Sequence, residues 1–211
     1  MGDDLATRTI TNSSWLGITQ EAAQQANHMF VSYSSSKKES ELAAWEFIKT
    51  EKPAFGLTVF LPALIFGPPI QPIKDSKHLN FSVDVFYSLW DGRNETIPAT
   101  MFPSYIDVRD LALAHVRALT EPAVNNKRLL IGGMPLTNTA MVRELKSLVE
   151  SGELPEEVGA KLAKESVEDQ QTVVPKIEAQ EGNEALKMQF RSFRETVYDM
   201  AKRILEIRAK E

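Results

Sequence analysis

The chain has 211 residues, of which 43% are hydrophobic and 25% charged, with a formal net charge of −5 and no cysteine. This composition is typical of a globular protein with one large or two small domains. The absence of cysteine excludes disulfides, iron–sulfur clusters, thiolate zinc sites and a cysteine nucleophile. The three histidines lie far apart in the sequence, so we expect no metal site.

The acidic balance argues against nucleic acid or an anionic membrane as the main partner. The most apolar run, 59–66, is too short to span a bilayer, and the N-terminus shows no signal pattern, so we expect a cytoplasmic protein.

The first half of the chain predicts a loop, a helix and a strand. Residues 1–31 carry little periodicity and are predicted to form loops, with Trp15 as an apolar anchor. From Ser32 to about Glu51 the spacing is helical. The apolar run 57–65 predicts a strand buried on both faces, and a proline-rich loop follows it.

The second half predicts further helices separated by two short strands. The strands are expected at 104–108 and 128–131, and Asp107 is placed to cap the helix after the first of them. The predicted helices are 79–90, 108–119, 141–149 and 190–207. Ser192 and Glu195 form a possible capping box at the last helix. The polar stretch 150–185 is expected to be a mobile surface excursion outside the core.

The alternation of helices and strands predicts an α/β fold with a parallel sheet. Only two strands are convincing from the sequence, which is too few for a complete doubly wound sheet.

The residues best suited to chemistry are Tyr33 and Lys37, which stand four apart in the first predicted helix and therefore share a face. A free phenol is poorly matched to proton transfer at neutral pH, but a neighbouring ammonium favours its ionised form. A phenol activated in this way can protonate a carbonyl oxygen as a hydride reaches the carbon. The spacing alone is weak evidence, because Tyr198 and Lys202 repeat it in the last helix. We interpret that second pair as structural.

Three segments together carry a family resemblance. Residues 32–47 read SYSSSKKESELAAWEF, residues 57–68 read LTVFLPALIFGP, and residues 105–115 read YIDVRDLALAH. In this order and spacing they resemble the extended short-chain dehydrogenase/reductase family, within the NAD-dependent epimerase/dehydratase superfamily. The similarity is greatest to its aldehyde and ketone reductases of the methylglyoxal and dihydroflavonol reductase type, particularly the fungal ones.

The resemblance implies roles for individual residues. Tyr33 would be the general acid and Lys37 would promote its ionisation and hydrogen-bond the nicotinamide ribose, so both are catalytic and cofactor-binding candidates. The backbone at Pro62, Ala63, Leu64 and Ile65 would lie along the nicotinamide of NADP, with NAD as the other possibility. The 105–110 segment would support a smaller substrate lobe, in which Asp107 and Asp110 cap a helix and tie loops together. His115 is predicted to be a packed helix residue.

The family's glycine-rich pyrophosphate turn and its catalytic Ser or Thr have no counterpart in the sequence, and Ser13 and Ser14 are not assigned that role. The chain therefore resembles the C-terminal portion of a reductase. We expect a partial Rossmann-like sheet with a small substrate-binding lobe. Residues 1–67 would be the remnant of the nucleotide-binding domain, and 68–211 mainly the lobe, with a late strand near 128–131 and a C-terminal helix. Three explanations of the missing half remain open. The chain is a truncated gene model or expression fragment, a short protein that has lost catalysis, or a half that a partner completes.

The function expected from the resemblance is NADP-dependent reduction of an aldehyde or ketone, inactive in the isolated chain. A sugar-nucleotide epimerase or dehydratase of the same superfamily, or a non-catalytic interaction or regulatory protein derived from it, is the alternative. We expect a small carbonyl substrate and self-association through an uncovered sheet. The substrate cannot be read from the sequence, because the loops 71–80 and 91–101 expected to line its pocket contain no recognisable code.

Overall fold

The computed structural model describes residues 9–165 and 172–211. These residues form an α/β fold in which short strands alternate with helices, and the predicted fold class is confirmed. The strands are β1 (Thr9–Ile10), β2 (Val59–Pro62), β3 (Leu64–Phe66), β4 (Ser104–Asp107), β5 (Arg128–Ile131), β6 (Met134–Pro135) and β7 (Lys176–Ile177). The helices are α1 (Gln20–Gln25), α2 (Met29–Glu51), α3 (Phe81–Tyr87), α4 (Val108–Ala118), α5 (Asn138–Glu150), the single turn α6 (Glu156–Gly159), α7 (Gln180–Ala185) and α8 (Phe193–Arg208).

The strands associate in three small sheets. β2 pairs with β5 in parallel, β3 pairs with β4 in parallel, and β1 pairs with β7 in parallel. β6 adds an antiparallel strand to β4. The glycines Gly132 and Gly133 both have positive φ, which lets the chain turn from β5 into β6.

The prediction of one fully buried strand over 57–65 is wrong. The segment forms β2 and β3, which belong to different sheets, and Ala63 lies between them. Pro62 ends β2 because proline has no N–H to donate to a continuing ladder. The strands are also less covered than expected, since Pro62 and Ile65 are exposed.

The core consists of two apolar clusters. The larger one lies among α3, α5 and α8 and contains Phe86, Trp90, Leu145, Leu148 and Ile204, each at most 1% exposed. The smaller one lies under β4, β5 and α4, with Ile106, Leu129 and Ile131 at its centre. Helix spacing and caps explain this arrangement, because α4, α5 and α8 each turn an apolar stripe inward.

The helix caps follow the predicted chemistry. The Asp107 carboxylate accepts a hydrogen bond from the backbone N–H of Arg109 at 2.8 Å and starts α4. The Ser192 hydroxyl accepts from the N–H of Glu195 at 3.1 Å and starts α8. Such side chains satisfy N–H groups that have no partner within the helix.

Two predictions about loops are wrong. The stretch 9–31 contains β1 and α1, and α2 begins at Met29, three residues before the predicted start. Within the predicted excursion 150–185, the described part 150–165 belongs to the core, because Leu154, Val158 and Ala163 are buried in the larger core cluster. Residues 1–8 and the acidic pair Glu168 and Asp169 lie outside the described residues. No helix within 9–165 and 172–211 is both long and apolar enough to cross a bilayer.

Candidate functional site

Tyr33 and Lys37 lie together on the N-terminal part of α2. The Lys37 ammonium stands 5.5 Å from the centroid of the Tyr33 ring, within cation–π range. Both side chains are exposed, Tyr33 at 58%. Within the described residues, no hydrogen bond or salt bridge engages the phenol oxygen or the ammonium. The pair is therefore open to a ligand on both functional groups.

The second pair, Tyr198 and Lys202, has nearly the same local geometry. The Lys202 ammonium lies 5.7 Å from the Tyr198 ring centroid. Tyr198, however, is half-buried and packs against the larger core cluster from α8. The i, i+4 spacing therefore gives both pairs the same local geometry and does not distinguish them. They differ in their tertiary environment, because Tyr33 is exposed and Tyr198 packs against the core.

The segment predicted to border a nicotinamide lies where β2 gives way to β3. Pro62 and Ile65 are exposed, whereas Ala63 and Leu64 are half-buried. Leu64 stands opposite Tyr105 in the β3–β4 ladder. Among the described residues, no hydrogen bond or ring contact joins this segment to Tyr33 or Lys37. The structure thus brings the tyrosine and lysine together, whereas their relation to segment 62–65 stays a prediction.

The 105–110 segment is tied into a buried polar network. The Asp107 carboxylate, 1% exposed, accepts hydrogen bonds from the Arg109 guanidinium at 2.8 and 2.9 Å and from the Thr196 hydroxyl at 2.8 Å. Asp110 accepts from the backbone N–H of Arg191 at 2.9 Å and pairs with its guanidinium, and Arg109 also pairs with Asp199. The predicted capping and tying roles of Asp107 and Asp110 are therefore confirmed. These bonds join the start of α4 to α8.

This network controls several protonation states. Burial alone would raise the pKa of Asp107, but the hydrogen bonds from Arg109 and Thr196 hold it below its ordinary value. The hydrogen bond to Asp107 raises the pKa of Arg109 despite some desolvation. Burial, with the charges of Asp107 and Asp110, raises the pKa of Tyr105 to about 12. Tyr105 is therefore a poor proton donor to a ligand.

An aromatic cluster beside Tyr33 was not found by sequence reasoning. Phe30, one helical turn before Tyr33, has its ring centroid 5.4 Å from that of Phe81 and 6.0 Å from that of Phe102. The Phe81 and Phe102 centroids are 6.1 Å apart, with the rings edge to face. The three residues come from three distant segments, so the sequence carried no local signal for them.

The loop that contains Ser13 and Ser14 is held by a network of contacts around Arg128. Arg128, at the start of β5, donates to the carbonyl oxygens of Asn12 at 2.6 Å and Ser14 at 2.9 Å. Its guanidinium also pairs with Glu41 of α2 at 2.7 Å and lies 4.0 Å from the Trp15 ring. These contacts hold the 12–15 loop and α2 against the sheet that β5 forms with β2.

His115 has local partners at the far end of α4. Its Nδ1 lies 2.8 Å from the carbonyl oxygen of Leu111, and its ring packs edge to face on Phe60. The ring nevertheless remains exposed to an open cleft of about 610 Å³ lined by Phe55 and Leu119, among others. Within the described residues, no cluster of three or more histidine or acidic side chains could hold a metal ion.

The chain is similar in sequence to known oxidoreductases. No family model matches it. It is 30% identical to the NADPH-dependent methylglyoxal reductase of Saccharomyces cerevisiae over 96% of this chain and 58% of the relative. It is 39% identical to an uncharacterised oxidoreductase of Schizosaccharomyces pombe over 59% of this chain and 36% of the relative. The chain thus spans less than two thirds of the length of these curated relatives.

Solved structures show the same relationship. Gre2 from Candida albicans superposes with a TM-score of 0.79 at 27% identity, over 94% of this chain and 58% of that one. Yeast methylglyoxal/isovaleraldehyde reductase Gre2, solved with NADPH, superposes with a TM-score of 0.77 at 27% identity, over 96% and 58%. The partial Rossmann-like architecture predicted from the sequence is confirmed.

Proposed function

We propose that this chain, which belongs to the extended short-chain dehydrogenase/reductase family, takes part in the NADP-dependent reduction of an aldehyde or ketone. The observation that carries the proposal is the open Tyr33–Lys37 pair on α2, with no competing partner among the described residues. The relatives support the cofactor, because the S. cerevisiae protein is named as NADPH-dependent and a related reductase was solved with NADPH.

The proposed chemistry assigns one step to each residue. NADPH, when bound, supplies the hydride that forms the new C–H bond at the carbonyl carbon. The Tyr33 phenol donates its proton to the carbonyl oxygen, which would otherwise carry a full negative charge. The Lys37 ammonium, beside the ring, stabilises the phenolate that Tyr33 becomes. The product is an alcohol, and Tyr33 regains a proton from solvent.

The described residues fit one end of the cofactor. The Lys37 ammonium has donors available for the ribose hydroxyls, and the exposed residues Pro62 and Ile65 offer apolar surface. The pyrophosphate end has no matching glycine-rich turn in the sequence. Gly132 and Gly133 do not serve, because a Cβ on them would meet the side chains of Ile106 and Ile177, and the backbone is thus packed against protein. We therefore assign the nicotinamide end alone to this chain.

The test uses a chimaera in which the nucleotide-binding half of the S. cerevisiae relative precedes this chain. NADPH oxidation with an aldehyde is expected to fall at least about 100-fold in Tyr33→Phe, because the proton donor is lost. Lys37→Met should lower turnover and weaken NADPH binding. Tyr198→Phe is the matched control, since it removes a hydroxyl from a pair of the same geometry, and should leave turnover unchanged. Full activity in Tyr33→Phe would reject the assignment.

The non-catalytic alternative predicts a different result. If the chain had become a binding or regulatory module, the chimaera would fold yet show no turnover, and Tyr33→Phe would have no activity to lose. The epimerase alternative gains no specific support, because UDP-glucose 4-epimerase of Thermotoga maritima is only 17% identical and shares the fold alone.

A further inference from the structure

Residues 67–80 form the proline-rich loop between β3 and α3, and both of its ends border the candidate site. The loop begins directly after β3, which includes part of the predicted nicotinamide segment. It ends directly before Phe81, whose ring centroid lies 5.4 Å from that of Phe30, one helical turn before Tyr33 on α2. The proline-rich loop thus joins two elements that flank the candidate site.

The start of the proline-rich loop is held by a side chain of α8. The Nε of Arg203 donates a hydrogen bond to the carbonyl oxygen of Pro69 at 3.0 Å, and Glu206 pairs with the same guanidinium at 2.9 Å. Pro68 and Pro69 have no backbone N–H, so this part of the loop has no main-chain donors of its own to hold it. Arg203 is itself firmly placed, because the next residue, Ile204, is fully buried in the larger core cluster.

A second contact holds the middle of the proline-rich loop. The carboxylate of Glu211, shortly after the end of α8, accepts a hydrogen bond from the backbone N–H of Ser76. Within the loop, the side-chain amide N–H of Gln71 donates to the side-chain oxygen of Asn80 at 2.8 Å. This bond brings the two ends of 71–80 together and closes the segment into a compact loop. The two contacts from the end of α8 therefore hold the loop as one unit.

We propose that Arg203 is a positioning residue for the carbonyl substrate, because it holds the proline-rich loop against α8 in the conformation that the substrate meets. The role rests on the proposed reductase function and needs no contact between Arg203 and the substrate. A loop released from α8 would adopt the binding conformation only part of the time, and the apparent affinity for the substrate falls with that fraction. No hydrogen bond or ion pair in the described residues joins Arg203 to Tyr33 or Lys37, so the proton transfer itself should be unchanged.

Hydrogen–deuterium exchange of the 211-residue chain tests the loop contact without requiring turnover. Arg203→Met removes the donor but keeps an alkyl side chain, and should speed amide exchange in the proline-rich loop at least about fivefold, because the loop opens more often. Arg208→Met is the matched control, since this side chain lies on the same helix, is also 30% exposed and pairs with Glu157 instead. It should leave exchange in the loop within about twofold. Glu211→Ala cuts the second contact at an exposed residue, should also speed exchange in the loop, and serves as the second test if Arg203→Met does not fold.

Steady-state kinetics of the chimaera test the positioning role. Arg203→Met should raise the KM for the aldehyde about three- to tenfold while kcat stays within about twofold, because the loop must be ordered again each time the substrate binds. Arg208→Met should change neither constant. A substitution that only destabilised the fold would reduce the amount of active enzyme, and so lower the apparent kcat without raising KM. The division of the effect between KM and kcat therefore distinguishes positioning from a general loss of stability.

The outcomes separate this proposal from the reductase function. Unchanged exchange in the loop in both Arg203→Met and Glu211→Ala, or a fall in kcat with KM unchanged in Arg203→Met, would overturn the proposal. If Arg203→Met frees the loop while the wild-type chimaera reduces no carbonyl compound, the hold of α8 on the loop is upheld and the reductase function fails. If the chimaera is active and Arg203→Met behaves like Arg208→Met in both measurements, the positioning role is overturned and the function is kept.

Discussion

The carboxylate of Asp107 is the most consequential single group in the buried network, and removing it should destabilise the protein strongly. Asp107→Ala deletes the N-cap of α4, which is worth about 1 kcal/mol. It also removes the partner of the buried Thr196 hydroxyl and one partner of Arg109, at about 1–3 kcal/mol for groups left unpaired. Thr196 and Arg109 keep second contacts to Ser192 and Asp199, which limits the loss.

We therefore expect Asp107→Ala to lower the free energy of unfolding by about 3 kcal/mol, equivalent to about 6–12 °C in Tm for a chain of this size. Asp107→Asn keeps a capping oxygen but loses the charge, and should cost about 1–2 kcal/mol. Glu165→Ala is the surface control, because the Glu165–Arg143 pair is exposed on both sides and its loss should leave the stability nearly unchanged. Urea unfolding followed by tryptophan fluorescence at pH 7 measures all three.

The same network predicts a pH dependence with a definite sign. The pKa of Asp107 is lower in the folded chain than in the unfolded one, so its stabilisation is present above about pH 4 and is lost as the pH falls through the lowered folded value. The stability difference between the wild-type chain and Asp107→Asn should accordingly shrink on acidification. A wild-type stability equal to that of Asp107→Ala at pH 7, or a gap that widens in acid, would refute the reasoning.

Two further predictions compare matched positions, and two concern the 211-residue chain on its own. Gly132→Ala should lower the free energy of unfolding by about 3 kcal/mol or more, because φ is +76° and the new Cβ would lie 2.7 Å from a β4 side chain. Gly152→Ala has the same φ but open space around the new Cβ, and should lower it by only about 1–2 kcal/mol. Thermal unfolding compares the two variants. Arg128→Met should cost about 3 kcal/mol, while the exposed neighbour Lys127→Met should cost less than about 1 kcal/mol in the same urea titration. The 211-residue chain alone should self-associate in size-exclusion chromatography, since in the described residues β2 pairs on one edge only. Calorimetry should show weak NADPH binding at best, and micromolar binding by a monomer would contradict both expectations.

The features that depend on near neighbours were predictable from the sequence. The helices α4 and α8 have three- and four-residue apolar spacing and a capping side chain at Asp107 and Ser192, and both lie close to their predicted bounds. β5 matches its prediction because a short apolar run ends at two glycines. Tyr33 and Lys37 meet for the same reason, since an i, i+4 contact requires only that the segment be helical.

The stretch 150–165 shows where local composition misleads. Leu154, Val158 and Ala163 are separated by charged residues, and the average polarity of the stretch predicts exposure. They are buried because α5 and α8 provide an apolar surface for them, which no window of sequence contains. The division of 57–66 into β2 and β3 has a similar origin. β2 pairs with β5 and β3 pairs with β4, and both partner strands are distant in sequence.

The sequence by itself determined the α/β class, the capped helices and the Tyr33–Lys37 pair, because covalent geometry and helix periodicity act over a few residues. The tertiary structure decided that Tyr33 stays open while Tyr198 lies against the core. It also decided that Phe30, Phe81 and Phe102 gather beside the open pair. The physical reason is that burial depends on which distant segments pack together, and apolar attraction has no direction that a local pattern could record.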